Sequence, residues 1–309
     1  MNENNPLISI CIPCFKREAQ VKRTLLSIYE TNKEVPLDVY EVVISDNDPD
    51  CALSEIAKEF SSKPNFSYHP TKCEGFMNSY HALTYGHGLF LKLHNSQNVF
   101  YPGVLARMIA LIKENERNKP YMFFSNGWLD WKGERMYNRF EDFMLDLSYW
   151  SSSSAGFGIW KEDFDSVGEI ELDPLFPHTS LFMTQYGKKS FCIDNAPMFY
   201  AQRIPKRGDH NKFKAFTIHY PRILAESCDA GHISSKCRDI IYKAIYTKFL
   251  PTLLFNKYVA RIETYDSTGF KENCGVYFPP KAYYLAWLNV CLIPYDIIRR
   301  RLRQKLYRQ

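Results

Sequence analysis

Leu7-Ile8-Ser9-Ile10-Cys11-Ile12-Pro13-Cys14-Phe15-Lys16-Arg17 is the stretch on which the fold turns. Residues 7–13 are a short apolar run rich in strand formers, and residues 19–29 carry apolar side chains at helical spacing, so the order is strand, loop, helix. The pattern repeats. Residues 40–45 read as a second strand ending at Asp46-Asn47-Asp48-Pro49-Asp50, and residues 52–60 follow as another amphipathic helix. Such a βαβ rhythm predicts a parallel sheet with right-handed crossovers and helices on its faces. Further along, residues 66–69 read as a strand, 75–85 as a helix, and 88–93 as a strand opening into His94-Asn95-Ser96-Gln97-Asn98. Residues 102–115 are helical and 121–128 extended, and Ser151 to Ser154 with Gly156 and Gly158 mark a loop beside an aromatic strand at 157–160. Polar residues 205–211 suggest a boundary, beyond which the pattern is mostly helical from 213 to 254, with a tail starting near Tyr283.

Composition sets the frame. At 309 residues, with 45% hydrophobic and 24% charged content, the chain suits one large domain plus an appendage and can bury a substantial core. The net charge of +5 is concentrated: the last eleven residues hold Arg299, Arg300, Arg301, Arg303, Lys305 and Arg308, and the body is close to neutral. Nine cysteines, an odd number without Cys/His spacing of the zinc kind, do not read as a disulfide framework or a structural zinc site, so a reducing compartment is expected. The polar start and the lack of any run of about 18 apolar residues lead to the expectation of a cytoplasmic protein.

In open parallel sheets ligands gather at the carboxyl ends of strands. Three such ends are unusually polar: residues 13–17, residues 45–48 and the amides after Leu93. Each alone is ordinary turn chemistry. In this order and spacing the sequence resembles the family 2 glycosyltransferases, over roughly residues 7 to 200. Those enzymes begin with a strand like Ile8-Ser9-Ile10-Cys11-Ile12-Pro13, then an aromatic and a basic residue; their second strand ends in an aspartate that reads the nucleotide base, matched by Asp46. A strand later they carry Asp-x-Asp-Asp, then apolar residues and Pro-Gly, which aligns with Asn95-Ser96-Gln97-Asn98-Val99-Phe100-Tyr101-Pro102-Gly103. The resemblance implies a GT-A fold, a Rossmann-like, mostly parallel sheet flanked by helices, over residues 1–205. A helical extension at 206–282 and a tail at 283–309 would follow. Bacterial surface-polysaccharide transferases look most similar in layout.

The frame is kept while the acids are not. In the family the acidic motif helps hold a divalent cation against the diphosphate, and hard Mg²⁺ or Mn²⁺ prefer carboxylate oxygens. Asn95, Gln97 and Asn98 offer carbonyls without charge, so no metal site is assigned; no cofactor is expected to be required, and Mg²⁺ or Mn²⁺ is disfavoured. Cations such as Arg17, Lys72, Lys92 or the run from Arg203 to Arg207 would then meet the diphosphate. By the resemblance, Pro13, Phe15, Arg17, Asp46 and Lys72 hold the nucleotide side of the donor, and Asn78, Asn95, Gln97 and Asn98 the sugar and diphosphate.

Inversion at the anomeric carbon needs a base for the acceptor hydroxyl. Where the family has a Glu-Asp pair at a helix start, this chain has Asp173-Pro174-Leu175-Phe176-Pro177-His178-Thr179, so His178 is the expected base and Asp173 the fallback. Gly156, Phe157 and Trp160 resemble the acceptor-side strand. His210 and Arg207 stand where related enzymes place a late diphosphate or metal contact. The tail, aromatic from Tyr283 and then basic, suits an anionic membrane surface rather than a span, and no nucleic-acid module accompanies its charges.

The expected function is transfer of a sugar from a nucleoside diphosphate donor to a lipid-linked or growing glycan acceptor, with inversion, in bacterial O-antigen or capsule assembly. It would take place on the inner face of the cell membrane. The alternative is a catalytically silent GT-A protein that binds glycans or acts as a scaffold. A nucleotidyltransferase would want a Gly-rich phosphate loop near the N-terminus, and none is present.

Overall fold

The computed structural model describes residues 5–202, 204 and 211–295, and its contacts divide the chain into two units, Met1–Arg203 and Ile204–Gln309. In the first unit β1 (Ile8–Cys14), α1 (Glu18–Tyr29), β2 (Tyr40–Asp46), α2 (Ser54–Phe60), β3 (Phe66–Pro70), α3 (Asn78–Thr84) and β4 (Phe90–Leu93) alternate as the sequence predicts. β5 (Asn98–Phe100), α4 (Val104–Asn115), β6 (Tyr121–Phe124), β7 (Glu134–Tyr137), α5 (Phe140–Leu147), β8 (Gly158–Trp160), α6 (Lys161–Ser166), α7 (Pro177–Met183), β9 (Phe191–Asp194) and β10 (Phe199–Ala201) follow.

The main sheet has the order β3-β2-β1-β4-β8; its first four strands run parallel and β8 antiparallel. Almost every residue of β1 and β2 is buried, because helices cover both faces and such strands must read as continuous apolar runs. β5 pairs with β10, and β6-β9-β7 form a third sheet. The extended reading of residues 121–128 is corrected: β6 stops at Phe124 because Asn126 and Gly127 take positive φ. The expected helix at 75–85 begins instead with a 3-10 turn at Gly75–Met77.

Cys11 and Cys14 stand in a Cys-x-x-Cys spacing. On a strand, residues three apart point to opposite faces, so the two share neither a bond nor a metal; both are buried and free.

At the opposite end from the polar loops, Ser9 Oγ donates to Glu41 Oε1 (2.6 Å) and accepts from the Gly88 amide (2.8 Å). The chain passes so close there that a Cβ at Gly88 would lie 2.7 Å from the backbone of Ile8 and Ser9.

The second unit is helical: α8 (Lys212–Lys214), α9 (Tyr220–Asp229), α10 (Ser235–Ala244), α11 (Leu250–Leu254), α12 (Phe270–Tyr277) and α13 (Ala282–Leu288). Wide π turns at Ala215–His219 and Ile245–Phe249 lead into Pro221 and Pro251. A proline inside a helix lacks an amide and crowds the carbonyl four residues back, and a π turn relieves that crowding. Each proline lies four residues after a threonine whose hydroxyl bonds a backbone carbonyl one turn earlier: Thr217 to Phe213 (2.8 Å) and Thr247 to Lys243 (2.6 Å).

The close approach at Gly88 gives a direct test. Gly88→Ala should destabilise the first unit by about 2 kcal/mol or more, because the facing atoms are backbone and cannot swing aside. Gly187→Ala, with open space around it, should stay within about 0.5 kcal/mol of wild type. Urea denaturation followed by circular dichroism reads both.

Candidate functional site

β1, β2 and β3 wind outward in one direction while β4 returns to the other side of β1. That reversal makes a switch point, and the crevice beyond the ends of β1 and β4 is where a ligand fits. Phe15, exposed, and Lys16 and Arg17, both at positive φ, form the loop out of β1. Two consecutive left-handed non-glycine residues store strain of about 1 kcal/mol or more each, which favours a reading of this loop as functional.

Below the loop lies a network of amides. Asn78 Nδ2 donates to the carbonyls of Cys14 and Ser45 (both 2.9 Å) and to Asn47 Oδ1 (3.1 Å), while its Oδ1 accepts from Ser45 Oγ (2.6 Å). Asn47 Nδ2 in turn donates to the carbonyls of Cys73 and Gly75. Asn78, expected at the donor, therefore spends its polar atoms within the protein and fixes the ends of β1 and β2 against α3. Asp46 is fully buried; Oδ1 accepts from the Asp48 amide (3.1 Å) and Oδ2 from Tyr68 Oη (2.8 Å), and burial raises its pKa. The Leu53 amide also bonds this carboxylate, no part of which reaches solvent.

The amide turn opens from β4. His94 N bonds Cys11 O, Thr24 Oγ1 bonds Ser96 O, Asn98 N closes on Asn95 O, and His94 Nε2 meets Asn98 O at 2.9 Å. Because a carbonyl only accepts, His94 carries its proton on Nε2; burial lowers its pKa to about 3. His94 Nδ1 and Asn98 Nδ2 are buried with no partner among the described residues. Asn95 Oδ1 accepts from Ser154 Oγ (2.9 Å), and Gln97 is half-buried. A hard divalent cation fits this turn poorly: it offers no carboxylate, one amide oxygen is already engaged, and among the described residues no three His, Cys, Asp or Glu cluster with metal spacing.

Residues 148–156 join this turn to α7. His178 Nε2 donates to Ser152 O (2.9 Å), leaving its lone pair on Nδ1; the ring is only 6% exposed, and burial lowers its pKa to about 4. Asp173 Oδ1 accepts from the amides of Leu175 and Phe176 and so shapes the approach to α7.

Two expectations are corrected. Phe157 and Trp160 are each 1% exposed, and Trp160 Nε1 donates to Pro120 O while its ring packs edge-on against Phe90. A Cβ at Gly156 would sit 2.2 Å from the Phe123 ring. These residues close the core between sheets and offer no face to a sugar. Lys92, considered for the diphosphate, is sealed as well: Nζ donates to Leu93 O and Ala155 O, and burial lowers its pKa to about 7. Lys72 is exposed, Arg17 and Pro13 are half-buried, and Arg203, Arg207 and His210 lie outside the described residues. A separate cavity of about 410 Å³ between α3, α6 and α7 is lined by Tyr80, Phe164, Leu181, residues 167–170 and Leu172, and by none of the strand-end groups.

Comparison with known proteins agrees with this geometry. The family described as Glycosyl transferase family 2 matches residues 9–168. The structure of S. aureus TarS 1–349 is similar over 98% of this chain and 91% of that one, at 14% identity and a TM-score of 0.60. The same fragment in complex with UDP-GlcNAc aligns at 16% identity with the same TM-score of 0.60. A mannosyltransferase from Pyrobaculum calidifontis in complex with GDP-Man and Mn²⁺ covers 99% of this chain and 85% of its own, at 16% identity and a TM-score of 0.54. A search of the curated proteins finds no match. At these identities the structures speak for the fold, a GT-A sheet flanked by helices, and the family match covers more than half of the chain. The chain is a glycosyltransferase and belongs to family 2.

Proposed function

We propose that this enzyme moves a sugar from a nucleoside diphosphate to a lipid-linked or growing polysaccharide acceptor with inversion, without a resident metal ion, in assembly of a bacterial surface glycan such as O-antigen or capsule. The observation that carries the reading is the amide turn at residues 95–98, held at the switch point by Thr24, His94 and Ser154 where the family keeps its acids. Sugar nucleotides in complexes of structurally similar proteins support the donor class. Pro13, Phe15, Arg17 and Asp46 take the nucleotide, and Asn95, Gln97 and Asn98 bond the sugar. Lys72 and Arg17 answer the diphosphate charge. The acceptor hydroxyl gives its proton to His178 Nδ1, its oxygen bonds the anomeric carbon, and the bond from that carbon to the diphosphate breaks on the opposite face.

The tail fits a membrane surface. Ala282, Ala286 and Ile293 are buried in the helical unit, whereas Tyr284, Leu288 (67% exposed), Leu292 and Tyr295 (68%) face outward, with Trp287 against Tyr258. No helix among the described residues is long and apolar enough to cross a membrane. The basic residues from 299 to 308 lie outside the described residues and continue from this face in sequence. Because α13 belongs to the core of its unit, a truncation that tests the tail starts at 296. Removing residues 296–309 should weaken sedimentation with phosphatidylglycerol vesicles at least tenfold while leaving the circular dichroism unchanged, at about 1 kcal/mol per basic residue near anionic lipid. Undiminished binding would leave the basic residues without that role.

Transfer should persist in excess chelator. Asn95→Asp with Gln97→Asp should bring a dependence on Mn²⁺ if the turn aligns with the acidic motif. Loss of wild-type turnover in chelator, restored by Mn²⁺, sinks the metal-free reading.

His178→Gln should lower kcat by about a hundredfold or more with donor KM unchanged. Since the folded pKa of His178 lies near 4, the acid limb of kcat should lie well below the ordinary imidazole range near 6.5. The same depression has a stability consequence. His94 and His178 are neutral when folded and protonate on unfolding, so stability is full above about pH 6.5 and falls toward pH 4, by on the order of 3 kcal/mol for each ring. Denaturation midpoints between pH 7 and 4, for wild type and His178→Gln, check the sign.

A further inference from the structure

We infer that Trp128 and Trp150 form a platform for a pyranose ring of the acceptor glycan, beside the amide turn; this rests on the transfer reaction proposed above. The two indoles stack with centroids 4.4 Å apart and planes 21° from parallel; both are half-buried, Trp128 resting on the core with Trp150 laid over it. Neither indole N–H has a partner among the described residues, and neither is sealed from solvent, unlike that of Trp160. A flat apolar surface edged by free donors matches a sugar, whose ring presents C–H groups on one face and hydroxyls around its rim.

The platform is built to be rigid. Trp128 sits on the turn after β6, where Asn195 accepts from Ser125 Oγ (2.6 Å) and the Leu129 amide (3.2 Å) and donates to the carbonyls of Leu129 and Trp131. Asn126, at positive φ, accepts from the amides of Met198 (2.7 Å) and Phe199 (3.0 Å). Two asparagines thus lock a loop whose exposed product is one indole. Trp150 lies in the 3-10 turn Ser148–Ser152, which opens at Ser148 with φ 51° and ψ −136°, a strained conformation for serine. Strain and rigidity spent on holding two half-buried rings at the surface suit a binding surface better than a fold requirement.

Its place ties it to the reaction. Phe199 touches both the His94 ring (5.8 Å) and the Trp128 ring (6.1 Å), and three residues after Trp150 the Ser153 amide bonds back to the Trp150 carbonyl just before Ser154 reaches Asn95. A glycan whose terminal hydroxyl lies at the amide turn would lay a preceding sugar across the pair. The platform therefore selects a polymeric or oligosaccharide acceptor over a lipid carrying a single sugar.

Calorimetric titration of the full chain with cellohexaose, chitohexaose, maltohexaose and an α-linked mannohexaose tests this, with UDP and GDP titrated in parallel. Wild type should bind at least one hexasaccharide in the millimolar range; Trp150→Ala should weaken it tenfold or more and Trp150→Phe less than threefold, with nucleotide affinity unchanged. Trp128→Ala should repeat the loss, its fold checked by circular dichroism. Binding of none of the four by wild type, or undiminished binding by Trp150→Ala, overturns the platform. Failure to bind either nucleotide counts instead against the transfer reading, which the hexasaccharide arm does not touch.

Discussion

A sheet covered on both faces leaves its strands no polar surface except at their ends, and here one buried side chain manages those ends. The Asn78 amide joins the last carbonyls of β1 and β2 to the start of α3, and through Asn47 reaches the loop beyond β3. Without it the Cys14 carbonyl would keep only the Asn47 amide, and any buried group left wholly unsatisfied would cost about 1 to 3 kcal/mol. With it, Asp46 and the strained turn at Lys16 and Arg17 out of β1 keep fixed positions. Order in place before binding is what electrostatic stabilisation of a departing group requires.

A second layer of order lies on the acceptor side. Ser154, Ser152 and Trp150 belong to one short loop, and each faces a different partner: the amide turn, His178 and Trp128. The amide turn, His178 and Trp128 are thereby coupled through one loop. The buried imidazoles fit the same logic, since each has its tautomer fixed by a carbonyl.

Much of the first unit is legible in the sequence. β1, β2 and β4 can be read because a continuous apolar run of strand length that ends in polar residues suits little besides a strand buried on both faces, and the order of those ends carries the family resemblance; β3, partly exposed along its length, is read only from its place in the βαβ rhythm. β7 cannot, since it is exposed along nearly its whole length and shows neither alternation nor an apolar run. β5 and β10 are three residues each, below the length at which periodicity speaks. Within the site, residue type points to the right strand ends but not to side-chain direction. Phe157 and Trp160 look the same in sequence as Trp128 and Trp150; only the packing of β8 against Phe90 and Phe123 decides which pair is core. Asn78 stands out in sequence as a polar residue near the site, yet its bracketing role depends on partners 33 and 64 residues away.

The π turns before Pro221 and Pro251 mean that no straight helical wheel describes either the helix at 212–229 or the one at 235–254. Each inserts about one residue into the winding, so the wheel advances by roughly 100° at each turn. Leu250, Leu253 and Leu254 face inward only because that extra rotation has occurred. Deleting one residue from either π turn would regularise the local winding and at the same time swing every later side chain of the same helix about a quarter of the way round, carrying apolar residues toward water and polar ones toward the core. Length, as much as composition, is therefore what this helical unit holds constant.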